Sequence, residues 1–101
     1  MTCLLYTSER PLTTFKVESK KGFKKRALLV MGASTAEEPV IYIRNIKSPH
    51  QYKCMKGFNE KVGKFNKLTE TVYLKDGAYE LFIGTQKKDQ WTSQQVEILV
   101  M

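Results

Sequence analysis

The stretch KLTETVYLKDGAYELFIGT, residues 67–85, decides the fold class. On each side of its Asp-Gly pair, apolar side chains recur two or four residues apart, with Glu70 at the one alternating position that is not apolar. That period of two is typical of β-strands with one face buried, and it does not fit a helix. The apolar positions are Leu68, Val72 and Leu74 before the pair, and Tyr79, Leu81 and Ile83 after it.

Asp76 and Gly77 separate the two alternating segments. Asp-Gly tolerates the positive φ angles that tight two-residue turns require. The sequence therefore predicts a β-hairpin around Asp76-Gly77.

Similar short segments occur along the rest of the chain. Strands are predicted in LTTFKVES, ALLVMG, VIYIRNI, QYKCM and WTSQQVEILVM, whereas KGFNEKVGKFN (residues 56–66), with its two glycines, is predicted to be a loop. About seven short strands separated by turn residues indicate an all-β protein, a small antiparallel β-sandwich of Greek-key or jelly-roll type. At this length we expect one domain, residues 1–101.

The positive charge is concentrated in one part of the chain. The net charge is +7, and between Lys16 and Lys67 thirteen lysines and arginines face only four glutamates. A basic segment of this kind attracts acidic surfaces, which include nucleic acid, acidic proteins and lipid headgroups. Charge alone does not choose among these partners.

Three basic segments, KKGFKK, MKGFNEK and VGKFNK, each place a phenylalanine close to a glycine and among lysines. Lysines neutralise acidic groups and exposed rings provide stacking or apolar contact, so these segments are the predicted partner-binding surface. The alternative is that the lysines are simply solvated while the phenylalanines pack into the core. The predicted contact residues are Lys20, Lys21, Phe23, Lys24, Lys25, Arg26, Phe58, Lys64 and Phe65.

We predict that the protein is not an enzyme. His50 is the single histidine, and the cysteine nearest to it in the sequence is Cys54, four residues on. In an extended strand that spacing separates the two by about 13 Å, and the Pro49-His50 pair is more typical of a turn. Two cysteines and one histidine without a Cys-x-x-Cys motif do not form a zinc site, so no metal or cofactor is expected.

The two cysteines, Cys3 and Cys54, are too few for a small disulfide scaffold, so both are expected to be reduced thiols. The apolar run at the start stops at Tyr6 and has no basic region before it, which predicts synthesis in the cytoplasm without a secretory signal. No apolar run approaches the length of a membrane helix, so no membrane association is expected.

Both ends of the chain are apolar, MTCLLY at the start and VEILVM at the finish. Such ends are a liability in a monomer but are buried in an oligomer. We therefore expect a structural or binding subunit of a larger homo- or hetero-oligomeric assembly, with a virion (as a phage decoration, spike or connector) among the settings considered. A basic nucleic-acid-binding module is the alternative, and a carbohydrate surface built from Trp91 and the tyrosines stays open.

Overall fold

The structure, a computed structural model, describes residues 10–56, 58–85 and 94–100. These residues form two four-stranded antiparallel sheets, which confirms the all-β sandwich prediction with eight strands in place of about seven. The strands are β1 (Thr13–Val17), β2 (Arg26–Ser34), β3 (Pro39–Asn45), β4 (Tyr52–Met55), β5 (Phe58–Val62), β6 (Phe65–Leu74), β7 (Gly77–Thr85) and β8 (Gln94–Val100).

The strand order is β1-β7-β3-β4 in the first sheet and β5-β6-β2-β8 in the second. Only the β3–β4 and β5–β6 connections join neighbours within one sheet, so five of the seven connections cross from sheet to sheet. Because of these crossings, loops that are distant in the sequence meet at the same end of the sandwich. Among the described residues there is no helix long and apolar enough to cross a membrane.

The core lies between the two sheets and follows the predicted alternation. Inward side chains of β2, β3, β6 and β7 fill it, and removing this apolar surface from water is the main force that holds the sheets together. The fully buried members include Leu28, Val30, Ile41, Ile43, Leu68, Val72, Leu81 and Ile83. The alternating positions predicted in β6 and β7 are therefore confirmed as core.

The hairpin predicted at Asp76-Gly77 is wrong. β6 pairs with β5 and β2, whereas β7 pairs with β1 and β3, so the two strands lie in different sheets. Lys75 and Asp76 form a short arch between the sheets. The Tyr79 hydroxyl donates a hydrogen bond to the Lys75 carbonyl at 2.7 Å, which braces this arch.

The loop predicted for residues 56–66 is also wrong, because most of it forms the β5–β6 hairpin. Val62 pairs with Phe65, which leaves Gly63 and Lys64 as a two-residue turn. Gly63 has a φ of +59°. A glycine with positive φ at the first turn position is the pattern of a type II′ turn, whose twist matches that of the adjoining strands.

Candidate interaction site

The structure does not bring the predicted contact residues together in one patch. Residues 20–25 lie in the β1–β2 loop and Arg26 begins β2, where it pairs with Leu74. Lys64 and Phe65 lie at the β5–β6 turn, next to the pairing of Ser34 with Asn66 at the other end of β2. A nine-residue strand spans about 27 Å, so the two groups occupy opposite ends of the sandwich.

Phe58 begins β5, where it pairs with Thr69 near the middle of β6, so it lies between the two groups. Phe65 is half-buried, and the Lys64 ammonium lies 5.6 Å from the centre of its ring. Phe23, in contrast, is 69% exposed. Its ring therefore does not plug the core, and of the two interpretations of the basic segment it fits the binding one.

Three loops meet at the end of the sandwich that carries Phe23, and we call this the basic end: the β1–β2 loop (residues 18–25), the β3–β4 loop (46–51) and the β6–β7 arch (75–76). They contain six lysines against Glu18 and Asp76, a net charge of +4. The described loops of the opposite end, residues 35–38, 56 and 63–64, carry two lysines and two glutamates, a net charge of zero. The positive field is therefore concentrated at one end.

Backbone hydrogen bonds fix the β1–β2 loop. The Phe23 amide donates to the Lys20 carbonyl at 3.0 Å, and Gly22 has a φ of +93°. Glycine at the third position of this turn is the requirement of a type II turn. At the loop's far end, Arg26 Nη1 donates to the Glu18 carbonyl at 2.8 Å, which closes the loop on itself.

A hydrogen bond ties this loop to the β6–β7 arch. The Ser19 amide donates to Asp76 Oδ1 at 2.7 Å. Hydrogen bonding from Ser19 lowers the pKa of the Asp76 carboxyl, because it stabilises the charged form. Asp76 therefore stays ionised and serves as a fixed acceptor within a basic surrounding.

The β3–β4 loop is ordered by Asn45 and Gln51. Asn45 Oδ1 accepts hydrogen bonds from the amides of Lys47 and Ser48, at 2.9 and 3.0 Å. The Gln51 amide donates to the Ser48 carbonyl at 2.8 Å across the Pro49-His50 pair, which confirms the predicted turn there. With all three loops held by hydrogen bonds, little conformational entropy remains to be lost when a partner binds.

Apolar side chains are also exposed at the basic end. Phe23 and Ile46 project from the loops, and Tyr52 and Tyr73 lie at the adjoining ends of β4 and β6, with exposed fractions of 40–69%. Exposed apolar and aromatic groups inside a charged rim are the composition of protein interfaces. Of these four residues, only Phe23 is among the predicted contact residues, while Tyr52 and Tyr73 belong to the carbohydrate hypothesis.

Tyr42 and Tyr79, which belong to the carbohydrate hypothesis, do not form an open surface. Tyr79 is buried and stacks on Phe15, and Tyr42 packs against both Tyr52 and Phe82 at ring distances of 5.7 Å. Trp91 lies outside the described residues, so that part of the hypothesis stays untested.

Arg44 is committed to its own sheet. Its Nε lies 2.9 Å from Glu80 Oε1, and its guanidinium sits 4.9 Å from the centre of the Phe82 ring. The hydrogen bond to Glu80 raises the pKa of the guanidinium above its ordinary value. This arrangement stabilises the outer face of the first sheet.

The expectation that Cys54 is a reduced thiol is wrong, because Cys54 is disulfide-bonded. A single bridge does not need the high cysteine content of a disulfide scaffold, so the count of two was a poor guide. Cys3 lies outside the described residues. No group of three or more metal-ligating side chains occurs in the part of the chain that the structure describes.

A comparison with protein-family models found no match, and comparisons with curated proteins and with solved structures found none either. The geometry of the basic end is therefore the main indication of function.

Proposed function

We propose that the protein is a non-enzymatic binding subunit of a larger assembly and that its basic end docks on an acidic surface of a neighbouring protein. One observation carries the proposal: three hydrogen-bonded loops at one end of the sandwich carry six lysines together with the exposed side chains of Phe23 and Ile46. Lysines steer an acidic partner into contact, and the apolar groups supply burial once it is bound.

A second copy of the chain is a poor partner for this end. Two basic ends brought face to face would repel each other, and like charges across an interface cost binding energy. The proposal therefore favours a different subunit, or a homo-oligomer that uses another surface of this chain.

The binding role also fits the disulfide bond of Cys54. A bridged cysteine has no thiolate, and the thiolate is the nucleophile in cysteine chemistry. The enzymatic alternative, a His50–Cys54 pair, thereby loses its nucleophile.

A virus particle is one assembly that would use a small sandwich in this way, and a decoration, spike or connector subunit is the specific form of the proposal. Disulfides persist in oxidising surroundings, which include particle surfaces, and are rare in the reducing cytosol. The bridge at Cys54 supports a working place of that kind after cytoplasmic synthesis.

Nucleic-acid binding is the second candidate, and the exposure of Phe23 is the observation in its favour. An exposed ring among lysines would stack on an unpaired base. The loops of the basic end contain lysine but no arginine. Arginine is the residue that reads bases and phosphates with a planar fork, so we place acidic protein first.

The test compares a labelled poly-glutamate peptide with a poly-dT oligonucleotide, by fluorescence anisotropy at low and high salt. The variant K20E/K21E/K24E changes the basic end, and K56E/K61E/K67E is its matched control. All six lysines are exposed, and both variants change the net charge equally.

We expect the basic-end variant to weaken poly-glutamate binding by at least about tenfold at low salt and the control to have a much smaller effect. Equal losses in both variants would contradict a localised site, because binding would then follow net charge alone. Tighter binding of poly-dT that is lost in Phe23→Ala would reverse the ranking of the two candidates.

A further inference from the structure

A cleft of about 310 Å³ opens at the basic end between the two sheets. All three loops contribute to it, so it is continuous with the surface described above. Its lining includes Lys25, Ile43, Asn45, Gln51, Tyr52, Lys53, Tyr73, Leu74, Lys75, Asp76 and Tyr79.

The cleft exists because β5 is short. β5 pairs only with residues 65–69 of β6, whereas β2 pairs with β6 as far as Leu74. In the described part of the chain, residues 70–74 of β6 thus pair on one side only. Within the described residues their other side is a sheet edge, whose backbone donors and acceptors can pair with a further strand.

The chemistry of the cleft has two parts. Ile43, Leu74 and Tyr79 contribute an apolar floor, and each is less than 10% exposed. The rim carries the exposed lysines Lys53 and Lys75, together with Lys25 from the β1–β2 loop. With the Asp76 carboxylate, which also lines the cleft, the three lysines leave a net positive charge around the apolar floor. The cleft therefore complements a ligand that carries both apolar and acidic side chains.

We propose that this cleft receives an extended acidic segment of the partner protein, which adds as a strand to residues 70–74 of β6. The inference rests on the proposed function and identifies the part of the partner that the basic end binds. Successive side chains of an added strand point to opposite faces. Apolar residues at every second position would meet the floor, and the acidic residues of the segment would lie within reach of the lysines at the rim.

Strand addition accounts for the free edge and the charge together. A peptide backbone satisfies the edge of β6 with main-chain hydrogen bonds, while pockets for alternate side chains give specificity. Nucleic acid has no backbone amide to offer this edge. Tyr52 and Tyr73, exposed on the cleft walls, would then pack along the two sides of the added strand.

The probe is a capped peptide of alternating valine and glutamate, titrated into the full chain and followed by isothermal calorimetry. Two N-methylated forms, methylated at the odd or at the even residues, keep the charge but lose the amide donors of one edge. Lys53→Glu changes the rim of the cleft, and Lys61→Glu on β5 is the matched control. Both lysines are exposed, so neither variant disturbs the core.

We expect the unmodified peptide to bind and one N-methylated form to bind at least about tenfold more weakly, since an added strand presents one edge to β6. Lys53→Glu should weaken binding by about fivefold at low salt, with little change in Lys61→Glu. Tyr73→Ala should also weaken it, and because Tyr73 is more than half exposed this variant should fold normally.

The outcomes separate this inference from the function on which it rests. Equal binding of both N-methylated forms, with binding still lost in K20E/K21E/K24E, would overturn strand addition and leave the basic end as the site. If neither this peptide nor poly-glutamate binds, the proposed function itself fails, and the lysines at this edge would serve only to discourage aggregation.

Discussion

Replacing Tyr79 by phenylalanine removes one atom and tests how the β6–β7 arch is held. The Tyr79 hydroxyl donates to the Lys75 carbonyl at 2.7 Å, and its ring is 7% exposed and stacks on Phe15 at 5.7 Å. The phenylalanine keeps the stacking and the core volume, so the lost hydrogen bond is the only large change.

A hydrogen bond of this kind contributes about 1 kcal/mol to the free energy of unfolding. For a domain of about this size that loss lowers Tm by roughly 4–8 °C. Urea unfolding and calorimetry would measure both quantities. Tyr73→Phe is the matched control, because Tyr73 lies just before the same arch but is 56% exposed, and no loss is expected from it. If Tyr79→Phe melts together with the wild type, the arch is not braced as described.

Three further predictions concern the turn, the arch and the disulfide. An alanine at Gly63 would clash with no neighbour, but the φ of +59° is strained for alanine. We therefore expect Gly63→Ala to lower the free energy of unfolding, measured in urea, by about 1 kcal/mol. An unchanged urea midpoint would show that the turn imposes no such strain. The pKa of Asp76 is lower in the folded chain than its ordinary value of 3.8, so its contribution to the free energy of unfolding is present above that value and is lost as pH falls through the folded pKa. Asp76→Asn should therefore be less stable than the wild type at neutral pH and equally stable in strong acid. A stability difference that stays constant across pH would contradict this. Cys54 should resist iodoacetamide until a reductant is added, and labelling of the unreduced chain, read by mass spectrometry, would contradict the bridge.

Local periodicity was enough to predict the core. Leu68, Val72 and Leu74 are buried as their spacing indicates, because a half-buried strand has to alternate whatever its partner is. The same is true of Leu81 and Ile83. Fold class could therefore be predicted from residues 67–85, since the alternation depends on the chain's own geometry.

Strand pairing could not be predicted in this way. Asp76-Gly77 has the composition of a hairpin turn, but the arch it forms joins β6 to β7 across the core. Whether a short connection returns within a sheet or crosses to the other one depends on which distant strands compete for each edge. Here β2 and β5 pair with the two edges of β6, while β1 and β3 pair with the two edges of β7.

The candidate site, like the fold, could be predicted only in part from the sequence. The basic segment at residues 20–26 was evident from charge, and Phe23 is exposed as a binding role requires. Lys75 and Ile46 gave no signal of their own. They join the basic end only because the sheet order places the β3–β4 loop and the β6–β7 arch beside the β1–β2 loop. The turn residues Pro49 and Asp76 mark these loops but do not show which end they occupy.

An NMR titration would show whether the basic end of the sandwich binds an acidic partner. Amide shifts of the ¹⁵N-labelled chain would be recorded while poly-glutamate is added at low salt and then reversed at high salt. We expect the amides whose chemical shifts change to cluster in residues 18–25, 46–51 and 75–76. Few shift changes are expected at Glu37, Glu38 or the Gly63 turn. Shifts spread evenly over all the lysines, or centred on Lys61 and Lys64, would contradict it.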